Sequence, residues 1–302
     1  MISRKLGIVI LNYNGSVDTL NCVKSIRNID VDDPIIIVDN HSDENDYQNL
    51  KKNIAKEAII IRTEKNLGYA GGNNVGIKKA LELQCKYICV INNDTVVVED
   101  IFSPCIDVLT EDRKIAFVSP TIVDFHTGLV QVAGSSINPT TGIVKNFNMN
   151  RKPSELGKFI FCDYVSGACI MCRSEIVDEI GYIPECYFLF FEETEWCYAA
   201  RRNGYKNLCL ANTKILHKGS VSINKVGGLQ TYLMLRNRIA FMRRNTKCKF
   251  ASLLVYHLLC VREFAKFVLT HKKRYLLYIK AYSDGWNKKV SNRYPFIIIN
   301  ND

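Results

Sequence analysis

Three polar side chains follow directly after an apolar run in residues 87–100, which read YICVINNDTVVVED. Asn92, Asn93 and Asp94 all carry oxygen atoms that can contact a ligand. The continuous apolar run before them is typical of a strand that is buried on both faces of a sheet. In an open parallel sheet, ligands bind beyond the carboxyl ends of the strands. The segment therefore predicts a polar ligand site at the end of a central strand.

Small or hydrogen-bonding residues also follow three earlier apolar segments. They are Asn12, Asn14 and Gly15 after the first, Asp39, Asn40, Ser42 and Asp43 after the second, and Asn66, Gly68, Gly71, Gly72, Asn73 and Asn74 after the third. Such residues also form ordinary turns, but four such ends at one edge of a sheet favour a ligand site. The third group opens a predicted helix, where free amide groups and the helix dipole favour a phosphate.

A second group of chemically active side chains lies in the segment EETEW, which contains Glu192, Glu193 and Glu195. The helix dipole favours acidic residues in a first helical turn, and this preference alone would explain one glutamate. It does not explain three acidic residues in four positions directly after the apolar segment YFLFF. We therefore expect carboxylates with a chemical function at this helix start.

The elements that position these residues alternate between strand and helix. Strand patterns occur at LGIVILNY, PIIIVDN, AIIIRT and YICVIN, and helical patterns occur between them at residues 17–28, 44–56 and 69–83. Repeated β-α-β units of this spacing predict a mostly parallel sheet with helices on both faces. Two further strand-like stretches are KIAFVSP and FIFCDYVSGACIMCR. Residues 124–158, between them, predict a substrate-facing loop or a small hairpin.

Charge is distributed unevenly along the 302 residues, whose formal net charge is +10. Residues 201–302 contain 21 basic and 3 acidic residues, a net charge of +18, whereas residues 1–200 contain 19 and 27, a net charge of −8. From Leu229 onward the pattern is helical and basic. We predict an α/β domain at residues 1–228 and a helical region at 229–302 that faces an anionic membrane, substrate or nucleic acid. Nucleic acid is disfavoured because no recognised module accompanies the charge.

As a set, the motifs resemble glycosyltransferase family 2 in order and spacing. The first half contributes VILNYNG, IIIVDNHSDEND, EKNLGYAGGNNVGIKKA and VINNDT, and the second half contributes SGACIMCRSEIVDEIGYIPECYFLFFEETEWCYAARRNGYK, ILHKGSVS and LQTYLMLRNR. The later motifs resemble the rhamnosyltransferase-like branch of the family. The resemblance covers roughly residues 6–245. It implies a GT-A fold, which is a Rossmann-like α/β sheet, and an inverting enzyme that uses nucleotide sugars.

On the donor side, the resemblance implies a divalent cation, Mn²⁺ or Mg²⁺, at NND, where the family has an Asp-x-Asp signature. Asp94 would bind the cation, and Asn92, which replaces the first aspartate, would make a ribose or outer-shell contact. His217 matches a position that completes the metal shell in some relatives. The cation would stabilise the charge on the departing nucleoside diphosphate. The nucleotide-sugar contacts that the resemblance implies are Asn12, Asp39 (to the nucleobase), Asn66, Gly68, Asn73, Asn92 and Asp94.

On the acceptor side, inverting transfer needs a base that takes the proton of the attacking hydroxyl. The resemblance places this base at Glu193, which aligns with a catalytic aspartate of the family and is one methylene longer. Glu192 is the rival base. Rhamnose from a dTDP-linked donor is favoured, with galactose or another hexose from a UDP-linked donor next. The expected acceptor is a saccharide of a growing surface polysaccharide, carried on a lipid pyrophosphate.

Two other classes of function stay open at this point. A nucleotide-binding module with little turnover would account for the departures at Asn92 and Glu193, and metal-dependent donor hydrolysis would distinguish it. Another nucleotide-dependent enzyme could use a similar sheet, but a dehydrogenase would carry G-x-G-x-x-G after the first strand, where this chain has NYNG.

The expected location is the cytoplasm. Twelve scattered cysteines are typical of a reducing compartment, and the first residues do not read as a signal peptide. Residues 229–302 would contact the inner face of a membrane through apolar and basic side chains.

Overall fold

The strands and helices can be assigned in a computed structural model that describes residues 5–54, 57–219 and 228–287. In these ranges the strands are β1 Leu6–Asn12, β2 Ile35–Asp39, β3 Ile59–Arg62, β4 Tyr87–Asn92, β5 Thr95–Val97, β6 Ile115–Asp124, β7 Val130–Val132, β8 Ser135–Ile137, β9 Val144–Asn146, β10 Phe159–Cys162, β11 Cys169–Arg173 and β12 Lys206–His217. The helices are α1 Ser16–Arg27, α2 Glu44–Ile54, α3 Gly68–Glu82, α4 Phe102–Glu111, α5 Ser174–Ile180, α6 Glu192–Arg202, α7 Leu229–Asn245, α8 Lys249–Thr270 and α9 Arg274–Trp286. The end of the ILHKGSVS motif, 220–222, and the end of the predicted helical region, 288–302, lie outside the described residues.

A mixed sheet forms the centre of the protein, with the strand order β10-β12-β6-β11-β4-β1-β2-β3. Strands β1 to β4 are parallel and adjacent, in the order β4-β1-β2-β3, as the β-α-β pattern predicts. The second half adds β11 antiparallel between β4 and β6, and β12 parallel to β6. The carboxyl ends of β1, β2 and β4 therefore lie at one edge.

Helices cover both faces of this sheet, as predicted. One apolar cluster contains Ile8 and Ile10 of β1 together with residues of α1, α2 and α4. The other contains Val9 of the same strand together with residues of α3, α5, α6 and α7. Neighbouring residues of β1 alternate between the two clusters because successive side chains of a strand point to opposite faces.

The stretch FIFCDYVSGACIMCR forms two separate strands rather than one. β10 is an edge strand with Phe159 and Phe161 exposed, whereas all residues of β11 are buried in the middle of the sheet. A turn at residues 163–168 separates them, and a hydrogen bond from Ala168 N to Ser166 Oγ (3.2 Å) helps to close it. Residues 124–158 contain the hairpin formed by β8 and β9, which confirms the predicted small hairpin.

The predicted helical region at 229–302 contains three helices within the described residues, α7, α8 and α9. α7 packs Ala240 and Phe241 into the same cluster as Trp196 of the α/β part. The predicted domain boundary at residues 228 and 229 stays a prediction, and α7 has extensive contact across it. In the described part of the chain, every helix is too short or too polar to span a membrane.

Candidate active site

Asn12, the last residue of β1, connects the ends of β1 and β2. Its buried amide nitrogen lies 3.0 Å from Asp39 Oδ1, 3.1 Å from Ser42 Oγ and 2.9 Å from Asp46 Oδ2. Its amide oxygen accepts a hydrogen bond from Thr19 Oγ1 at 2.8 Å. These contacts use both protons of the amide. Asn12 therefore holds Asp39 in place, and its direct contact with a donor stays a prediction.

Asp39 is completely buried at the end of β2. Its Oδ1 accepts from Asn12, and its Oδ2 accepts from the backbone N–H of Ser42 at 3.2 Å and lies 3.4 Å from Arg62 Nε. A buried carboxylate needs such partners because the desolvation of an isolated charge is very unfavourable. Each carboxylate oxygen can accept a further hydrogen bond, so the predicted contact with a nucleobase N–H is chemically available.

The Gly-rich start of α3 is built around two asparagines. Asn40 Nδ2 donates to Asn66 Oδ1 (3.1 Å) and to the carbonyl oxygen of Gly68 (3.0 Å), and Asn66 Oδ1 also accepts from Gly68 N (2.8 Å). Gly68 has a φ of 75°, and a Cβ there would lie 2.5 Å from the carbonyl oxygen of Phe188, so a larger residue does not fit. Asn73, in the second turn, has a buried Oδ1 without a hydrogen-bond partner among the described residues, as expected of a ligand contact.

The three residues of NND have different surroundings. Asn92 ends β4 opposite Leu11 of β1 and is half-buried. Asn93 turns back toward α1, where its Nδ2 donates to Thr19 Oγ1 at 3.1 Å. Asp94 is the residue that meets His217, at the end of β12. Asn92 and Asp94 thus remain available at the predicted site, whereas Asn93 stabilises the turn after β1.

Asp94 Oδ1 lies 3.2 Å from Nε2 of His217, and both side chains are about 15% exposed. The pair forms because β5 runs antiparallel to β12, with Thr95 opposite His217. The two atoms are within ion-pair distance but are not aligned as a hydrogen bond, and Nε2 is buried without a hydrogen-bond partner in the described ranges. The structure therefore brings together the two predicted metal ligands.

Gln131 fixes the orientation of the His217 imidazole. Its Oε1 lies 2.8 Å from Nδ1 of His217, while its Nε2 donates to Asp124 Oδ2 (3.0 Å) and to the carbonyl oxygen of His217 (3.1 Å). Hydrogen bonds, first from Gln131 and then from Thr127, lower the pKa of Asp124 to about 2. An ionised carboxylate only accepts, so Asp124 turns the amide oxygen toward His217. Nδ1 then carries the proton and Nε2 presents its lone pair toward Asp94.

The Asp94–His217 pair fits a divalent cation. Two lone pairs at this distance repel each other unless a positive charge lies beside them, supplied by a cation or by a second proton on the imidazole. No group of three or more His, Cys, Asp or Glu side chains within the described residues could hold a metal ion. A diphosphate and water would therefore supply the other ligands, as is common for Mg²⁺. The nitrogen ligand favours Mn²⁺.

Gln131→Leu is expected to weaken Mn²⁺ binding by about 10–100-fold, the scale for losing a residue that orients a metal ligand. Leucine is similar in volume but cannot accept the Nδ1–H of His217, so the imidazole can turn or change tautomer. Electron paramagnetic resonance measures the Mn²⁺ affinity, and ¹⁵N NMR reports the tautomer of His217 without metal. Gln230→Leu on the exposed side of α7 is the matched control. An unchanged affinity and tautomer in folded Q131L would exclude this role for Gln131.

Glu192 and Glu193 lie side by side in a buried environment at the start of α6. Burial raises the pKa of both carboxyl groups, and the charge of Glu193 raises the pKa of Glu192 further. One carboxylate oxygen of each residue has no hydrogen-bond partner in the part of the chain that the structure describes. Repulsion between the two neighbouring charges favours the state in which only one of the two carboxyl groups is ionised. A desolvated carboxylate of this kind can accept a proton from a hydroxyl near neutral pH.

The glutamate pair and the Gly-rich helix start meet at Gly167. Tyr69, the second residue of α3, donates from Oη to the carbonyl oxygen of Gly167 at 2.7 Å. A Cβ at Gly167 would lie 3.3 Å from Tyr69 Oη and 3.4 Å from Glu193 Cγ. The segment predicted to bind the donor and the segment predicted to supply the base are therefore adjacent in space.

The loop before Glu192 contains three phenylalanines in the left-handed region. The φ angles of Phe188, Phe190 and Phe191 are 68°, 70° and 74°. Each such conformation costs a non-glycine residue roughly 1–3 kcal/mol and persists only where the surroundings stabilise it. The start of α6 is thus set by a strained loop that needs external support.

α7 supplies this support through its buried polar residues. Asn237 Nδ2 lies 2.7 Å from the carbonyl oxygen of Leu189, 2.8 Å from that of Phe190 and 3.3 Å from that of Tyr187. Arg236 Nη2 donates to the same Tyr187 carbonyl at 2.7 Å. Both residues belong to the LQTYLMLRNR motif. Their contacts give this motif a physical role, which is to fix the backbone that leads to the glutamate pair.

Glu195, the third acidic residue of EETEW, is used to hold α6 against α7. Its Oε2 accepts from Tyr187 Oη and from Asn245 Nδ2, both at 2.6 Å, and its Oε1 accepts from Arg244 Nε at 3.2 Å. These partners satisfy the buried carboxylate. Only the first two glutamates of the segment are therefore candidates for the base.

The sequence pattern alone does not mark Gln131, Arg236 or Asn237 as residues of the site. Gln131 lies in the predicted substrate-facing segment 124–158, and the other two lie in the motif LQTYLMLRNR. The sequence therefore indicates only the segments that contain these residues, because their hydrogen-bond partners are far away in sequence.

Residues 7–181 match the model of a family described as glycosyl transferase family 2. The chain is 27% identical over 241 residues to the low-salt glycan biosynthesis hexosyltransferase Agl10 of Haloferax volcanii, covering 77% of this chain and 74% of that protein. It is 21% identical over 249 residues to the dTDP-rhamnosyl transferase RfbF of Shigella flexneri, covering 78% and 79%.

The fold is similar to that of GalNAc-T7, crystallised with UDP, GalNAc and Mn²⁺, with a TM-score of 0.64 and 15% sequence identity. The match covers 96% of this chain and 58% of that one, so the chain spans little more than half the length of that structure. This similarity confirms the predicted GT-A fold.

Proposed function

The chain belongs to glycosyl transferase family 2 and is a glycosyltransferase, and on this premise we propose that it moves one sugar from a nucleotide-sugar donor to a hydroxyl of a saccharide acceptor, with inversion at the anomeric carbon. The observation that carries the proposal is the half-buried Asp94–His217 pair, just after β4 and at the end of β12, in which Gln131 contacts the imidazole. It lies at the strand edge where an open α/β sheet binds its ligands.

The donor would lie across the ends of β1, β2 and β4 and the start of α3. Asp39 would accept from the nucleobase, and Asn66, Gly68 and Asn73 would contact ribose and diphosphate. Asn92 would make a ribose or outer-shell contact. A divalent cation at Asp94 and His217, Mn²⁺ in preference to Mg²⁺, would stabilise the negative charge on the departing diphosphate. The Mn²⁺ and UDP of the structurally similar GalNAc-T7 are in keeping with this assignment.

On the acceptor side, Glu193 would accept the hydroxyl proton while that oxygen attacks the anomeric carbon. Its raised pKa supports this role because a base works best when its pKa lies near the operating pH. Glu192 would stay protonated beside it. α7 would position both through the loop that Asn237 holds.

For the substrates, we favour rhamnose from a dTDP-linked donor, in keeping with the relative RfbF, and place galactose or another hexose from a UDP-linked donor next. The acceptor would be a saccharide in the synthesis of a surface polysaccharide, carried on a lipid pyrophosphate. The enzyme would then work at the cytoplasmic face of a membrane.

A panel of dTDP, UDP, GDP and their sugar conjugates, with and without Mn²⁺, tests the donor assignment by thermal shift. A ligand at about 100 times its Kd stabilises the native state by about 2.7 kcal/mol. We expect one nucleotide class to raise the Tm in a Mn²⁺-dependent manner, and Asp39→Ala to reduce this shift. Failure of every nucleotide to raise the Tm would contradict the proposal. Mn²⁺-dependent binding of a nucleotide sugar with neither hydrolysis nor transfer would instead support a binding module.

A further inference from the structure

α8 exposes an apolar stripe along its whole outer side. The exposed members of the stripe are Phe250, Leu253, Leu254, Leu258, Val261, Phe264, Val268 and Leu269. Most of them recur at intervals of three and four residues, and together they share one face of the helix. Phe250 and Leu269, at the two ends, are 78% and 82% exposed. A row of exposed apolar side chains along one helix face is typical of an interaction site.

The inner side of α8 is firmly packed, so the outer stripe is not exposed merely because the helix has separated from the protein. Tyr256 stacks on Trp286 of α9 with ring centroids 4.9 Å apart, and Leu259 is buried in the same cluster. Near the start of the helix, Ser252 Oγ donates to the carbonyl oxygen of Thr140 at 3.1 Å. The stripe is therefore presented on a fixed helix.

The surface around the stripe is cationic. Residues 228–287 contain 12 Lys or Arg and 2 acidic residues, Glu263 and Asp284. Both acidic side chains are buried and paired, Glu263 with Arg262 and Asp284 with Lys280. Exposed cations lie before, along and after α8, and they are Lys247, Lys249, Arg262, Lys266, Lys272, Lys273 and Arg274.

We propose that this stripe, residues 250–269 with its rim of cations, docks on a bilayer that contains anionic lipid. The apolar side chains would enter the boundary between headgroups and acyl chains, while the lysines and arginines would contact anionic headgroups. A second copy of the chain is a poorer partner because a two-fold contact would place the two cationic rims against each other. The proposal goes beyond the transfer reaction, and its test needs no enzymatic activity.

The inner side of α8 is connected to the acceptor side of the candidate site through the β8–β9 hairpin. Thr140, which accepts from Ser252 of α8, is in the turn between β8 and β9. β8 is bridged to Tyr164 at Ser135, and the pKa of Tyr164 is raised first by burial and then by the charge of Glu193. Docking through α8 would thus bring the side of the protein that carries the base close to lipid-linked molecules.

Co-sedimentation of the full chain with vesicles tests the proposal. Phosphatidylcholine vesicles with and without phosphatidylglycerol are compared at low and high salt. We expect binding only to the anionic vesicles, weakened by salt because screening shortens the range of surface charges. The triple variant Leu254→Gln, Leu258→Gln, Val261→Gln should bind at least about tenfold more weakly. Replacing Lys272, Lys273 and Arg274 by glutamine should weaken binding about fivefold per residue.

The matched control replaces exposed apolar residues elsewhere, Val98→Gln and Met149→Gln, and should bind like the unaltered chain. Three outcomes would overturn the proposal. They are no binding to anionic vesicles at low salt, full binding by the folded triple apolar variant, and binding that appears only in a chain ending at Asn287. A dimer in light scattering that the triple apolar variant abolishes, without vesicle binding, would assign the stripe to a second copy.

Discussion

Asp94→Asn is expected to lower the rate of sugar transfer by about 10³-fold, equivalent to roughly 4 kcal/mol of transition-state stabilisation. Asparagine keeps the shape and one acceptor oxygen but removes the charge that faces His217 Nε2. The cation would lose its single carboxylate ligand within the described residues, and the diphosphate would depart without charge compensation. Both Mn²⁺ affinity and turnover should fall.

Asp107→Asn on the exposed side of α4 is the control for a lost carboxylate outside the site. Mn²⁺ binding is followed by electron paramagnetic resonance, transfer by release of nucleoside diphosphate, and folding by the Tm. Wild-type transfer by folded D94N would remove Asp94 from the reaction. Reduced transfer with unchanged Mn²⁺ affinity would assign it a role other than metal binding.

Glu193→Gln should reduce transfer by about 10²-fold or more, the usual scale for losing a positioned base, while donor binding stays unchanged. The reason is that Glu193 has a buried carboxylate oxygen without a partner among the described residues and lies against Gly167, next to the predicted donor segment. In the unaltered chain, transfer should rise with pH through a value above the ordinary pKa of glutamate, because burial raises the pKa of the base. In E193Q, the residual rate of transfer should no longer rise with pH over this range.

Glu192→Gln is the matched comparison, because it removes the neighbouring carboxyl group at nearly constant shape. Transfer should change far less than in E193Q. The pKa of Glu192 is higher in the folded state than in the unfolded state. As pH rises through the ordinary pKa of glutamate, the unfolded chain loses this proton while the folded chain keeps it. The free energy of unfolding therefore decreases as pH rises above that value. The neutral glutamine avoids this loss, so the Tm of E192Q should exceed that of the unaltered chain at neutral pH and match it in acid. If E192Q loses most of its transfer activity while E193Q loses little, the assignment of the base is reversed.

The first half of the fold could be predicted because local sequence patterns determine its strands and helices. β1 to β4 and α1 to α3 follow apolar runs and helical spacing, and the parallel pairing follows from the β-α-β order. The meeting of the polar ends of β1, β2 and β4 at one edge of the sheet follows for the same reason. In FIFCDYVSGACIMCR, by contrast, the apolar pattern does not reveal that β10 lies at an edge and β11 in the centre.

The supporting contacts of the site could not be predicted, because they join distant segments. Gln131 and His217 are 86 positions apart, and Asn237 binds a carbonyl 48 positions earlier. The left-handed backbone conformations of Phe188, Phe190 and Phe191 also could not be predicted. Phenylalanine rarely adopts them, and no turn residue marks this segment. Tertiary contacts impose these conformations.

The support of the loop before Glu192 by α7 has a consequence for the synthesis of the protein. Asn237 lies 44 residues after Glu193 in the sequence. During translation, the growing chain therefore contains both glutamates before Asn237, which binds the loop in front of them, has been added. Until then, the loop is free to leave its strained backbone angles. A nascent chain that has reached the end of β12 already contains Asp94, His217 and the glutamates, yet it lacks the helix that organises them. Activity should therefore arise only once α7 has left the ribosome and folded back onto residues 187–191.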